Sequence, residues 1–199
     1  MRRQLTVGLR MTVALVVLLG LVYPLAVTAV AQVVFKDRAN GSLVTNSKGD
    51  AVGSSLIGQN FVGADGNPDP RYFQPRPSAA GTNGYDPLGP SGGSNLGPSN
   101  QTLIDTVSKR VADYRTLNNL DSSVAVPIDA VTASSSGLDP DISVANAKLQ
   151  ANRVATERNL PLATVLALID KHTEGRQWGV LGERVVNVLE LNLDLDQQS

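Results

Sequence analysis

The sequence predicts an α+β protein: one N-terminal transmembrane helix followed by a single extracytoplasmic α+β domain with a long Gly/Pro/Ser-rich loop region. Three features point there. An uncharged run, MTVALVVLLGLVYPLAVTAVAQVVF, extends from Met11 to Phe35. After Asn100, apolar residues recur at helical spacings of three and four. Short apolar stretches near Leu43 and at the C-terminus carry strand-like patterning beside turn residues. Helices mixed with a few hairpin strands define the α+β class.

At about 25 residues, the first run is long enough to cross a hydrocarbon core about 30 Å thick. A cleaved signal peptide is the alternative. Arg2 and Arg3 form a basic n-region, Ala29-Val30-Ala31 has the small-x-small form of a cleavage site, and Pro24 can break the helix ahead of it. Length favours a retained anchor: signal cores hold about 7 to 15 apolar residues, whereas this run continues through Val33, Val34 and Phe35. Arg2, Arg3, Arg10 and the amino terminus precede it, and Lys36 and Arg38 follow it. The positive-inside bias then places residues 1–10 in the cytoplasm, 11–35 in the membrane and 36–199 outside the cytoplasm.

On a helix turning 100° per residue, Gly20, Pro24, Thr28 and Ala31 fall within about 80° of one another. Small, weakly polar residues on one face let a second helix approach closely, so these four form a candidate partner-helix docking face. The alternative is the general enrichment of Gly and Pro in membrane helices.

Leu43-Val44, the turn Ser47-Lys48-Gly49-Asp50, then Val52 and Leu56-Ile57 read as a hairpin. Val62 to Asn100 is dense in Gly, Pro, Asn and Ser, the composition of turns and loops. A loop of that length in a compact domain is functional, disordered or anchored by its own contacts. Leu103, Ile104, Val107 and Val111 predict a helix to about Arg115, with Ser99 or Asn100 as N-cap. A strand is expected at Val124 to Ile128, and a second helix from Ser143 to Arg158. A third helix has Pro161 near its first position and Gly175 as its close. Leu189, Leu191, Leu193 and Leu195 alternate with Glu190, Asn192, Asp194 and Asp196, which predicts a half-buried final strand with a bulge near Val188.

Composition excludes several chemistries. The formal net charge is −1 and no long basic run occurs, so a nucleic-acid partner has no electrostatic support. With no cysteine and one histidine there is neither a disulfide nor a His/Cys metal site. His172 is the only base available to a Ser-His-Asp device, and no Gly-x-Ser-x-Gly elbow accompanies it. Its place near a helix end is that of an ordinary C-terminal cation or hydrogen-bonding group. Asp139-Pro140-Asp141 reads as a carboxylate-bearing turn at the start of the second helix, and Asp194 and Asp196 as the wet face of the last strand. No catalytic residue is assigned. Ser91-Gly92-Gly93-Ser94-Asn95 is the one segment whose backbone amides can converge on an anion, although it lacks a Walker Lys-Ser/Thr and equally reads as a tight turn.

Taken together, a series of segments resembles the C subunit of the Kdp-type potassium-transporting ATPase (the KdpC family) along nearly the whole chain. They are Gly53-Ser-Ser-Leu-Ile-Gly-Gln-Asn-Phe61, Tyr72-Phe-Gln-Pro-Arg-Pro-Ser-Ala79, Tyr85-Asp86, Ser91-Gly-Gly-Ser-Asn-Leu-Gly-Pro98, Val126-Pro-Ile-Asp-Ala-Val-Thr-Ala-Ser134, Ser136-Gly-Leu-Asp-Pro140, Gln150 with Arg153-Val-Ala155, Thr173-Glu-Gly-Arg176, and Asn187-Val-Leu with Leu191-Asn-Leu193. Gly182-Glu183-Arg184-Val185-Val186-Asn187 departs from the family pattern by lacking a proline, which loosens that turn.

The resemblance implies a non-catalytic, single-pass accessory subunit in the cytoplasmic (inner) cell membrane. Its partners would be a channel-like potassium-binding subunit, a P-type ATP-hydrolysing subunit and a small peptide, together taking up potassium at high affinity. It implies a catalytic chaperone that raises the pump subunit's affinity for ATP, with Ser91, Gly92, Gly93, Ser94 and Asn95 as a nucleotide-binding candidate. ATP then belongs to the complex, with no cofactor held firmly by this chain. The topology opposes direct binding, since it puts Ser91 to Ser94 where ATP is scarce, and makes the effect a coupling between distant sites. The alternative is a stand-alone anchored or secreted hydrolase or ligand-binding domain.

Overall fold

The computed structural model describes residues 1–198, and the chain divides into two compact units after Leu43. Ser199, the last residue of the expected domain, lies outside the described residues.

The first unit is dominated by one continuous helical rod, Arg2–Val34, 33 residues long and apolar enough to span a membrane. It consists of α1 (Arg2–Val17), a wide π turn (Leu18–Val22) and α2 (Tyr23–Val34), and none of its residues is buried. At 1.5 Å per residue the rod is about 50 Å long. It begins nine residues before the uncharged run because arginine and glutamine are good helix formers: hydropathy marks the stretch that suits lipid, not the helix boundary.

The π turn has a local cause. Pro24 has no N–H and its ring collides with the carbonyl four residues back. The chain widens just ahead of it, and the Tyr23 N–H reaches the Leu18 carbonyl. Helical geometry ends at Phe35 (φ −131°), and a single turn, α3 (Lys36–Ala39), follows.

A hairpin of β1 (Leu43–Thr45) and β2 (Ala51–Ser54) follows, all of it but Leu43 in the second unit. Asn46 sets its turn, the side-chain oxygen accepting from the backbone N–H groups of Lys48 and Asp50. Residues 55–100 then contain no helix or strand, only an isolated Val62–Pro68 bridge.

From Asn100 helices take over. Asn100 caps α4 (Gln101–Leu117) by accepting from the Thr102 N–H. A short 3₁₀ turn at Ile128–Ala130 leads to β3 (Asp141–Ser143), and Ser143 caps α5 (Val144–Glu157). Pro161 precedes α6 (Leu162–Lys171), which is followed by β4 (Thr173–Glu174), β5 (Val185–Asn187) and α7 (Val188–Asp196). The three strands form an antiparallel sheet in the order β3-β5-β4. Ile142, Val186, Ala147, Ala151, Val154, Val165, Ile169, Val188, Leu191 and Leu195 make one core between that sheet and helices α5 to α7.

Three expectations about secondary structure fail. The C-terminal leucines form a helix. Asn187 caps it by accepting from the Glu190 N–H, and the buried set Val188, Leu189, Leu191, Asn192 and Leu195 has helical spacing once Asn192 is counted as interior. Residues 124–128 are no strand, because Pro127 removes a ladder donor and the segment turns into the 3₁₀ element. The third helix closes at His172 rather than Gly175, since Thr173 and Glu174 are taken by pairing with β5.

The long irregular stretch is held by side chains. Asn192 accepts from the Phe73 N–H (2.9 Å) and donates to the Phe73 carbonyl (3.0 Å). Gln150 does the same for Gln74 (2.7 and 3.1 Å). The Arg153 guanidinium donates to the carbonyls of Pro70 and Tyr72 and to the side-chain oxygens of Asn118 and Gln150. These amides replace a neighbouring strand, and Phe73 is fully buried in the core. Replacing Asn192 with leucine keeps the volume but leaves both Phe73 backbone groups unpaired. A loss of about 3 kcal/mol in unfolding free energy is expected for the full chain in detergent, read by urea titration followed by circular dichroism.

Candidate functional site

Ser91 to Asn95 runs beside the loop that joins the 3₁₀ turn to β3. The Ser91 hydroxyl (2.7 Å) and the Gly92 N–H (3.0 Å) both donate to the Ser136 carbonyl. The approach is close: a Cβ on Gly137, whose φ is +71°, would stand 3.0 Å from the Gly92 carbonyl oxygen and 2.8 Å from the Ala80 Cβ. Asn95 turns the chain in the left-handed region (φ +53°) that asparagine tolerates.

Gly93, Ser94, Asn95, Leu103, Arg76 and Arg110 border a cavity of about 480 Å³. Sequence reasoning missed the two arginines. Arg110 follows Leu103 by seven residues, on the same helical face, which was the available signal. Both cations already have partners. Arg76 Nη1 pairs with Asp139 at 2.8 Å, and Arg110 donates to the Val131 carbonyl while burial lowers its pKa. The cavity combines guanidinium charge with hydroxyls, but the Gly92 amide and the Ser91 hydroxyl point at protein rather than into a shared anion nest.

The other candidate residues fall elsewhere. His172 caps α6, and its Nε2 lies 2.7 Å from Asp194 Oδ2, with Glu190 3.8 Å from Nδ1. Lys171 bonds the same Asp194 oxygen at 2.6 Å, and together Lys171 and His172 hold the Asp194 carboxyl below the usual range. Asp194 and Asp196 are therefore ion-pair partners on a helix and not the wet face of a strand, Asp196 reaching Arg158 at 2.8 Å. Nor do Asp139 and Asp141 serve the second helix. That role belongs to Asp129, which accepts from the Ser143 N–H, the Ser143 hydroxyl and the Asn146 amide near the start of α5. Among the described residues no group of three His, Asp or Glu side chains could hold a metal ion.

On the apolar rod, Gly20 sits inside the π turn and Pro24 just after it, with Thr28 and Ala31 further along α2. A π turn winds less per residue than an α turn, which keeps Gly20 on the side that carries Pro24. Gly20, Pro24 and Thr28 are exposed and Ala31 is half-buried.

These features define a class: a small α+β domain, rich in locked loops, carried behind one apolar N-terminal helix. Residues 5–197 match the family described as KdpC, K+-transporting ATPase, c chain, and the chain belongs to that family. It is 54% identical over 197 residues to the potassium-transporting ATPase KdpC subunit of Mycobacterium tuberculosis (strain ATCC 25618 / H37Rv), covering 99% of this chain and 100% of the relative. The KdpC subunit of Koribacter versatilis is 51% identical over 196 residues, 98% and 95% of the two chains. That of Gemmatimonas aurantiaca is 50% identical over 201 residues, 100% and 95%.

One titration in the domain is displaced. Burial first, then the charges of Asp139, Glu174 and Glu190, push the Asp141 carboxyl up to about 6. A folded-state pKa above the unfolded value means that the folded form binds more protons between about pH 4 and 6, so this group's contribution to stability falls as pH rises through that window. Asp141→Asn is expected to raise the melting temperature at pH 7.5 and leave it unchanged at pH 4. The gain is on the order of 1 kcal/mol after discounting for partial exposure, measured by thermal melts at both pH values.

Proposed function

We propose that the chain is a non-catalytic accessory subunit of a high-affinity, ATP-driven potassium uptake complex in the inner cell membrane. Its partners are a channel-like potassium-binding subunit, a P-type ATP-hydrolysing subunit and a small peptide subunit. The observation that carries this is the family match, which begins at residue 5, within the apolar helix, and ends at residue 197, beyond α7. Anchor and domain therefore belong to one functional unit. The helix is retained as a single span with a cytoplasmic N-terminus, in keeping with Arg2, Arg3 and Arg10 ahead of it. Its face of Gly20, Pro24, Thr28 and Ala31 docks against the channel-like subunit, where small side chains allow close approach.

The domain lies outside the cytoplasm and steadies the outer entrance of the channel-like subunit. Ser91 to Asn95 are then remote from cytoplasmic ATP, and two of their donors are bound to Ser136. The chain raises the pump's ATP affinity indirectly, by binding one conformation of the assembly better than another. Purification in mild detergent is expected to recover the chain with the larger subunits; recovery alone would favour a stand-alone anchored hydrolase or ligand-binding domain. A single cysteine introduced at the exposed Ser94 is expected to react with an impermeant maleimide in intact cells, and labelling confined to inverted vesicles would overturn the topology. His172→Ala, at matched protein level, is expected to leave growth on limiting potassium intact, because His172 caps α6 and pairs with Asp194 and Glu190, contacts that are local to this domain; loss of growth would reopen a catalytic role.

A further inference from the structure

The β4–β5 hairpin ends in an apolar tip that nothing above explains. Trp178, the only tryptophan in the chain, is 90% exposed, Val180 73% and Leu181 50%. The tip is tightly built. Gln177 and Leu181 exchange two backbone hydrogen bonds, and the Val180 N–H closes a four-residue turn onto the Gln177 carbonyl at 3.2 Å. The two central residues, Trp178 (φ +51°) and Gly179 (φ +78°), both occupy the left-handed region, as in the hairpin turns that favour Asn-Gly. A tryptophan in the first of these positions is strained and gains no burial in return. A residue that breaks the local rule without compensation inside its own chain marks a site whose compensation is external.

Charge selects the kind of partner. Arg176 Nη2 clasps Glu183 at the neck of the tip, 3.0 and 2.8 Å from its two oxygens. Residues 174–184 carry Glu174 and Glu183 against Arg176 and Arg184 and are neutral overall. Anionic lipid surfaces are bound through an excess of cations, which this loop lacks. A rigid, neutral, tryptophan-led knob suits an uncharged apolar socket on a protein, where Trp is among the enriched anchors. We propose that Trp178, with Val180 and Leu181 beside it, plugs into an uncharged apolar socket on the outer face of the channel-like subunit of the potassium-transporting ATPase, an inference that rests on the accessory-subunit reading above.

The test uses the complete complex. Trp178→Asn supplies a residue that fits the left-handed turn while removing the anchor, so the chain is expected to melt no lower than the wild type. Its retention by the other subunits through a detergent wash should nevertheless fall about tenfold or more. In parallel, a photo-crosslinking amino acid at position 178 is expected to capture the channel-like subunit. Equal retention of Trp178→Asn and wild type, or crosslinks to lipid alone, would overturn the proposal. Failure of the wild-type chain to co-purify with any partner would instead overturn the accessory-subunit reading itself.

Discussion

The fold of the domain depends on a ladder of buried polar side chains that takes the place of a missing strand. Asn146, Gln150 and Arg153 lie at i, i+4 and i+7 on α5 and are all buried, on a face next to the apolar one formed by Ala147, Ala151 and Val154. A helix buried on two sides must satisfy its polar side completely, because an unpaired buried amide or cation costs more than a hydrogen bond returns. Each rung is satisfied. The Asn146 oxygen accepts from the Tyr114 hydroxyl and the Gln150 amide, while its nitrogen donates to Asp129. Gln150 and Asn192 pair with the Gln74 and Phe73 backbone, and Arg153 closes the ladder.

Arg153 is the least ordinary member. Its guanidinium is buried and rests on four neutral oxygens, with no carboxylate of the described residues in hydrogen-bond reach. Burial lowers its pKa to about 10, so it remains charged at neutral pH. Guanidinium geometry explains the choice of residue: a planar fork of five donors can reach Pro70, Tyr72, Asn118 and Gln150 at once, which a lysine cannot. Tyr85 plays a comparable part at the other end of the irregular stretch. Its hydroxyl donates to the carbonyls of Arg76 or Asp139, and burial raises its pKa. Gly58 must be glycine there, since a Cβ would lie 2.6 Å from the Asp139 carbonyl oxygen and against the Tyr85 ring.

The same chemistry decides what sequence patterns reveal. The cap at Asn100 and the start of the helix at Ser143 are legible because helix-start signals act locally, on the N–H two or three residues ahead. The hairpin turn at Ser47 to Asp50 is legible for the same reason, although the Asn46 side chain that sets it emerges only from the structure. The final helix is not: an asparagine at position 192 counts as an exposed strand residue until the Phe73 backbone, 119 residues away, is known to need it. Residues 146, 150 and 153 share a helical face that any periodicity rule assigns to solvent. The candidate cavity is half-legible. Its Gly-Ser loop stands out by composition, whereas Arg76 and Arg110 arrive from distant elements. The hairpin tip was overlooked because a lone exposed tryptophan is visible only once the turn that presents it is built.

A domain so thoroughly locked restricts how an accessory subunit influences a pump. Ordering of a loose loop on binding is one route to coupling, since the entropy of that ordering differs between states. The stretch from Pro70 to Gln74 is unsuited to it: its backbone is already held by Arg153, Gln150 and Asn192, and Phe73 is fully buried. The loop at Ser91 and Gly92 is likewise tied to Ser136. For the coupling proposed above, what remains is action as a rigid body, with differential contact free energy arising where the domain or its helix would meet other chains. A coupling of 1–3 kcal/mol, typical of linked sites, is within the reach of one buried tryptophan engaged in one state of the assembly and loosened in another.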